Sequence, residues 1–142
     1  PQEFSYVGEV FDKYLGNGKA AYVERGDQTR VKHAVELIKR AGGIPILAHP
    51  GIYQKEDALK LMEYFVEVGG KGVEIYYPYT LINGVTEEQF EDLNKSFREA
   101  AKNNGLLESG GSDFHGKTRK NVFLNQMNIP YSVLENLKKN LP

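Results

Sequence analysis

Apolar positions recur at helical spacing near the start of the chain. Residues 5–15 (SYVGEVFDKYL) place Val7, Val10, Phe11 and Leu15 on one predicted helical face, and Gly16-Asn17-Gly18 predicts the stop. Residues 19–29 read as an irregular, charged connector. A second helix is predicted from about Thr29 to Ala41, with Val31, Ala34, Val35 and Ile38 on its apolar side and Gly42-Gly43 ending it.

The pattern then becomes an alternation. IPILAHP (44–50) is a short continuous apolar run, as expected of a strand buried on both faces. Residues 55–68 predict a helix with Leu59, Met62, Phe65 and Val66 inward, and GVEIYYP (72–78) predicts a second strand. Thr86 opens a further helix through a capping box with Gln89, and Phe90, Leu93, Phe97 and Ala100 form its stripe. LLESGGSDFH (106–115) begins as a strand and passes into a glycine-rich loop. Ser132 with Glu135 is expected to cap a last helix carrying Val133, Leu134 and Leu137. Strands alternating with helices imply parallel pairing through right-handed crossovers. The fold class is therefore α/β, and both an open sheet and part of a barrel accommodate three strands.

Composition narrows the chemistry. The 142 residues carry 18 basic and 19 acidic side chains, so there is no basic footprint of a general nucleic-acid binder. The absence of cysteine excludes disulfides, thiolate metal sites and cysteine nucleophiles. No apolar run approaches the roughly 20 residues of a membrane span. No secretory signal is visible, and a cytoplasmic protein is expected. Because the chain starts at Pro1, it is expected to be a processed product or a fragment.

In parallel α/β architectures functional groups gather at the carboxyl ends of strands. That rule selects Ala48-His49-Pro50, Tyr76-Tyr77-Pro78 and the loop from Ser109 to His115, which together hold two of the three histidines. In an extended Asp113-Phe114-His115 the carboxylate and imidazole converge while Phe114 faces the core. Aspartate with histidine suits Zn²⁺, Mn²⁺ or Fe²⁺, and the alternative is a hydrogen-bonded pair that stabilises the loop. His49 adds a second imidazole, or else is satisfied by a backbone carbonyl at a strand end. His33 lies opposite the apolar face of its helix and reads as a surface residue.

Residues 111–118 match the phosphate-loop pattern G-x-x-x-x-G-K-[ST]. Asp113 inside an anion cradle argues against that reading, and only 24 residues follow Thr118. Lys117 and Arg119 remain able to meet a phosphate as simple cations. Tyr76, Tyr77 and Tyr79 could stack a nucleobase or serve as packing, with Tyr76 taken as the substrate-binding candidate. Glu74 could support a site from behind or pair with a buried lysine.

The motifs AGGIPILAHPG (41–51), GVEIYYP (72–78) and GLLESGGSDFHG (105–116) resemble the later motifs of the PHP (polymerase and histidinol phosphatase) superfamily. The likeness is to its stand-alone bacterial phosphoesterases, and VFDKYLGNGKAAYVERG (10–26) is similar to the end of their helical insertion. The resemblance implies the carboxyl-terminal half of a distorted seven-stranded β/α barrel over residues 29–142, preceded by insertion and connector over residues 1–28. It implies a metal-dependent hydrolase of nucleotide or short RNA phosphodiesters, with two or three divalent ions (Mn²⁺, Zn²⁺ or Fe²⁺). His49, Asp113 and His115 would be both metal ligands and catalytic residues. The family's opening H-x-H motif is missing, so the chain is expected to be inactive without an amino-terminal half. A fragment of this kind would expose open strand edges and self-associate. The competing expectation is a non-catalytic metal- or nucleotide-binding α/β module.

Overall fold

A computed structural model describes residues 4, 7–24, 26, 29–82, 84–116 and 122–141. Helix α1 (Val7–Val10) passes directly into a π-helical turn, Phe11–Leu15, closed by the Gly16 N–H on the Phe11 carbonyl at 2.7 Å. Widening the helix shifts the phase of the expected apolar stripe. Phe11 and Leu15 are exposed rather than inward.

Helix α2 (Val31–Arg40) buries Val35 and leaves Ile38 exposed, so its apolar contact is narrower than the sequence stripe. Gly42, at φ +77, follows it as expected of a residue that reverses the chain. His33 is exposed, in agreement with its polar face.

Three parallel strands, β1 (Ile46–Leu47), β2 (Gly72–Tyr76) and β3 (Leu107–Gly110), form one sheet in the order β1-β2-β3. The run 44–50 thus yields only two paired residues, because His49 turns left-handed and Pro50–Ile52 form a 3₁₀ turn. Both β1 residues are half-buried rather than buried on two faces, in keeping with an edge position in this sheet.

Helix α3 (Lys55–Glu67) presents Ala58, Met62 and Phe65 inward, and α5 (Glu87–Asn103) presents Phe97 and Ala101. These side chains, apart from Phe65, join Val73, Ile75 and Leu106 in one buried cluster behind β2. Burial of this kind stabilises by about 25 cal/mol per Å² of apolar area, so the β2–α3–α5 layer anchors the sheet. The Thr86–Gln89 capping box is present with both reciprocal bonds, at 3.2 and 2.9 Å. A short helix, α4 (Tyr79–Ile82), follows β2 and is not foreseen by the sequence pattern.

Helix α6 (Tyr131–Lys139) starts one residue before Ser132, with Pro130 as its N-cap and no side-chain cap bond. The expected Ser132–Glu135 cap is therefore replaced by the extended backbone of Pro130 at ψ 136. Among the described residues no helix is long and apolar enough to cross a membrane.

Candidate functional site at the carboxyl ends of the strands

Because the three strands are parallel and adjacent, the segments leaving them emerge at one edge. His49 follows β1, Tyr77 follows β2, and Asp113 and His115 follow β3. His49 adopts φ 29, ψ 60, a left-handed conformation uncommon for a residue with a Cβ. Its backbone N–H donates to Glu74 Oε2 at 2.9 Å, and two residues on, the Gly51 N–H donates to the Tyr79 hydroxyl at 2.8 Å. Pro50 and Gly51 are buried beside it. Glu74 of β2 and Tyr79 of α4 therefore hold the backbone on either side of Pro50.

The His49 Nδ1 atom is buried and has no hydrogen-bond partner among the described residues. No backbone carbonyl among the described residues satisfies this nitrogen. A buried, unpaired imidazole nitrogen costs free energy on the order of 1–3 kcal/mol and invites an acceptor, donor or metal.

Asp113 also has a positive φ, 55°, so the segment 113–115 is not extended. Phe114 consequently points outward and is 41% exposed, against the expectation that it faces the core. The aspartate and imidazole still meet. His115 Nδ1 lies 2.6 Å from the Asp113 carbonyl oxygen and 3.4 Å from its Oδ1. If that nitrogen carries the proton it donates to the carbonyl, and Nε2 is then the nitrogen with the lone pair.

Tyr77 connects the two loops. Its hydroxyl donates to Asp113 Oδ2 at 3.1 Å, and its ring centroid lies 5.0 Å from that of His49. Glu74 completes the surroundings: burial raises its carboxyl above the usual range, Asp113 pushes it the same way, and His49 partly opposes both. No lysine among the described residues pairs with it; its Oε2 accepts from the His49 amide.

Tyr76 is placed differently. The Arg98 guanidinium lies 4.6 Å from its ring centroid, and the ring packs partly against the buried cluster. A register irregularity between Glu74 and Tyr76 breaks the alternation of β2. As a result Glu74 and Tyr77 reach the His49–Asp113 region, whereas Tyr76 does not share their contacts. Nothing in GVEIYYP announces the bulge that separates the contacts of Tyr76 from those of Tyr77. Lys117 and Arg119 lie outside the described residues. A cleft of about 380 Å³ beside this edge is lined by Gly51, Tyr53, Lys55, Gln89 and Asp92 but not by His49, Asp113 or His115.

Each donor type present suits a divalent cation, yet among the described residues no three His, Asp or Glu side chains converge to hold one. The described residues alone therefore do not make a metal site.

No protein-family model matches the chain. The chain is 36% identical over 108 residues to a 3′,5′-nucleoside bisphosphate phosphatase of Chromobacterium violaceum, covering 75% of this chain and 34% of that protein. It is also 36% identical over 110 residues to a 5′-3′ exoribonuclease of Haemophilus influenzae, covering 76% and 36%. A solved structure described as an amidohydrolase from Chromobacterium violaceum, with bound sulfate and no metal, superposes with a TM-score of 0.63 at 28% identity. That match covers 93% of this chain and 44% of the other. The relatives are hydrolases, and the chain spans about a third of the length of the curated ones.

Proposed function

We propose that this chain is the carboxyl-terminal portion of a metal-dependent phosphoesterase of the PHP type, acting on nucleotide or short RNA phosphodiesters. The observation that carries the reading is the convergence of His49 and Asp113 about Tyr77 at the carboxyl edge of three parallel strands. Similarity to a nucleoside bisphosphate phosphatase and an exoribonuclease supports the substrate class. Residues 29–142 would supply half of a β/α barrel, and residues 1–28 the end of an insertion and its connector.

In this reading His49, Asp113 and His115 contribute to holding two or three divalent ions once further ligands from an amino-terminal segment are present. A bound Mn²⁺, Zn²⁺ or Fe²⁺ supplies Lewis acidity and an acidified water. The chain's own residues orient that centre. Glu74 holds the backbone of His49, and the Asp113 carbonyl sets the tautomer of His115. Lys117, Arg119 and Tyr76 are the proposed contacts to substrate.

The test is expression of the chain alone and fused to a ligand-bearing amino-terminal half, each assayed on a phosphodiester with Mn²⁺. Activity confined to the completed protein is expected, and loss of it in His49→Ala and Asp113→Ala. Absence of activity in the completed protein overturns the reading. Open edges at β1 and β3 further predict self-association of the isolated chain, and a strictly monomeric, folded species in sedimentation counts against it.

The buried His49 Nδ1, without a hydrogen-bond partner among the described residues, favours a second reading for the chain on its own, a non-catalytic metal- or nucleotide-binding module. Calorimetric titration of the isolated chain with Mn²⁺ and with a nucleotide decides it: binding that His49→Ala abolishes is expected, and no binding removes this alternative.

A further inference from the structure

We propose that Tyr77 is the positioning residue that fixes Asp113 and His49 relative to each other, an inference whose catalytic consequence rests on the phosphoesterase reading. The ring is 2% exposed, and a buried phenol needs a partner for its hydroxyl. That partner is a carboxylate oxygen on a different strand's loop, Asp113 Oδ2 at 3.1 Å. Hydrogen bonds to an ionised acceptor are about twice as strong as neutral ones, so this bond constrains the carboxylate direction.

Asp113 is in particular need of such a constraint. At φ 55 its backbone lies in the left-handed region, uncommon for a residue with a Cβ although aspartate enters it more readily than most. Where its carboxylate points is then set by its contacts, and Tyr77 supplies one from across the strand boundary. The reach extends further, since the Asp113 carbonyl and Oδ1 both face His115 Nδ1.

On the other side the same ring packs against His49, with centroids 5.0 Å apart and planes inclined by 51°. Tyr79 backs Tyr77 at 4.6 Å and takes the Gly51 N–H with its hydroxyl. Among the strands, β2 alone neighbours both β1 and β3, so its exit is where a single side chain can touch both loops. Tyr77 occupies that place; Tyr76 lies beneath Arg98 instead.

Tyr77→Phe keeps the ring and deletes the hydroxyl, and Tyr76→Phe is the matched control. In the 142-residue chain, NMR three-bond couplings report the side-chain rotamer of Asp113. A single rotamer is expected in the parent and in Tyr76→Phe, with averaging over several in Tyr77→Phe. Unchanged Asp113 couplings in Tyr77→Phe overturn the proposal. Should that variant not fold, the parent still decides: a slowly exchanging Tyr77 hydroxyl proton with a nuclear Overhauser contact to the Asp113 methylene supports it, and absence of that proton overturns it.

In the protein completed by its amino-terminal segment, Tyr77→Phe is expected to lower kcat about tenfold or more while KM moves by less than about twofold. Parental kcat in that variant overturns the catalytic consequence. A completed protein with no activity at all overturns the phosphoesterase reading instead, and the couplings still judge the positioning.

Discussion

The backbone N–H of His49 points at Glu74 Oε2, 2.9 Å away, from a residue twisted to φ 29. A carboxylate on the central strand thus holds the strained residue at the end of the neighbouring strand. Burial disfavours the charge on Glu74, and the amide of His49 offsets part of that penalty. The arrangement places the imidazole through its backbone, leaving the ring to other contacts.

Replacing Glu74 tests this. Glu74→Leu removes the acceptor and is expected to cost about 1–3 kcal/mol in urea unfolding, the range for orphaning a partner of a charged hydrogen bond. Glu74→Gln keeps an oxygen acceptor and is expected to lose less than half as much. Hydrogen exchange at the His49 amide provides the local readout. It accelerates in Glu74→Leu and stays slow in Glu74→Gln; equal protection in both variants would falsify the clamp.

The left-handed conformation of His49 itself predicts an inversion of the usual ranking of small residues. Glycine enters that region freely, whereas alanine pays about 1–2 kcal/mol there. His49→Gly should therefore be more stable than His49→Ala by roughly 1 kcal/mol, although both lack the imidazole. Thermal or urea denaturation of the two variants measures the difference. A more stable alanine variant would mean that residue 49 is not left-handed in solution.

Much of this fold is legible in the residues, and the failures have identifiable causes. The helices α3 and α5 follow from Met62, Phe65, Phe97 and the Thr86–Gln89 box, because local periodicity and capping act within the segment itself. The parallel order follows from alternation, and with it the common edge that His49 and Asp113 share. What escapes the sequence is where alternation stops. The bulge between Glu74 and Tyr76 depends on pairing with Ser109 and Gly110, a long-range event with no local signature. It puts Tyr77, rather than Tyr76, in contact with His49 and Asp113. The positive φ values of His49 and Asp113 are likewise imposed by tertiary contacts, which is why Phe114 turns outward against a simple i, i+2 reading.

Gly110 gives the bulge an experimental handle. A Cβ there would sit 2.3 Å from the Tyr76 Cβ and 2.7 Å from its carbonyl oxygen, distances no side-chain rotation relieves. Gly110→Ala is expected to destabilise by about 1–3 kcal/mol, as overpacking against backbone does. Gly26 is the control: among the described residues nothing lies within 4 Å of a Cβ at that position, so Gly26→Ala should be neutral or slightly stabilising. Denaturant midpoints check both, and equal effects at the two positions would remove the close approach of β2 and β3.

Tyr76 separates packing from substrate binding. Arg98 lies over its ring at 4.6 Å while donating from Nη1 to both Glu108 oxygens, at 3.2 and 2.9 Å, and from Nε to Asn94 at 3.1 Å. The ion pair is about one-third exposed on each side, so solvent screening holds its worth to about 0.5–1 kcal/mol. The ring contributes a comparable stacking term of about 0.5–1 kcal/mol. Tyr76→Phe should leave stability unchanged, because the aromatic face beneath Arg98 is retained. Tyr76→Leu loses that face and is expected to cost about 1 kcal/mol, with salt sensitivity altered at the Arg98–Glu108 pair. In the completed protein the same leucine variant discriminates the two roles. A severalfold rise in KM for a nucleotide substrate is expected of Tyr76 as a substrate contact, whereas a parental KM would leave its ring to Arg98 alone.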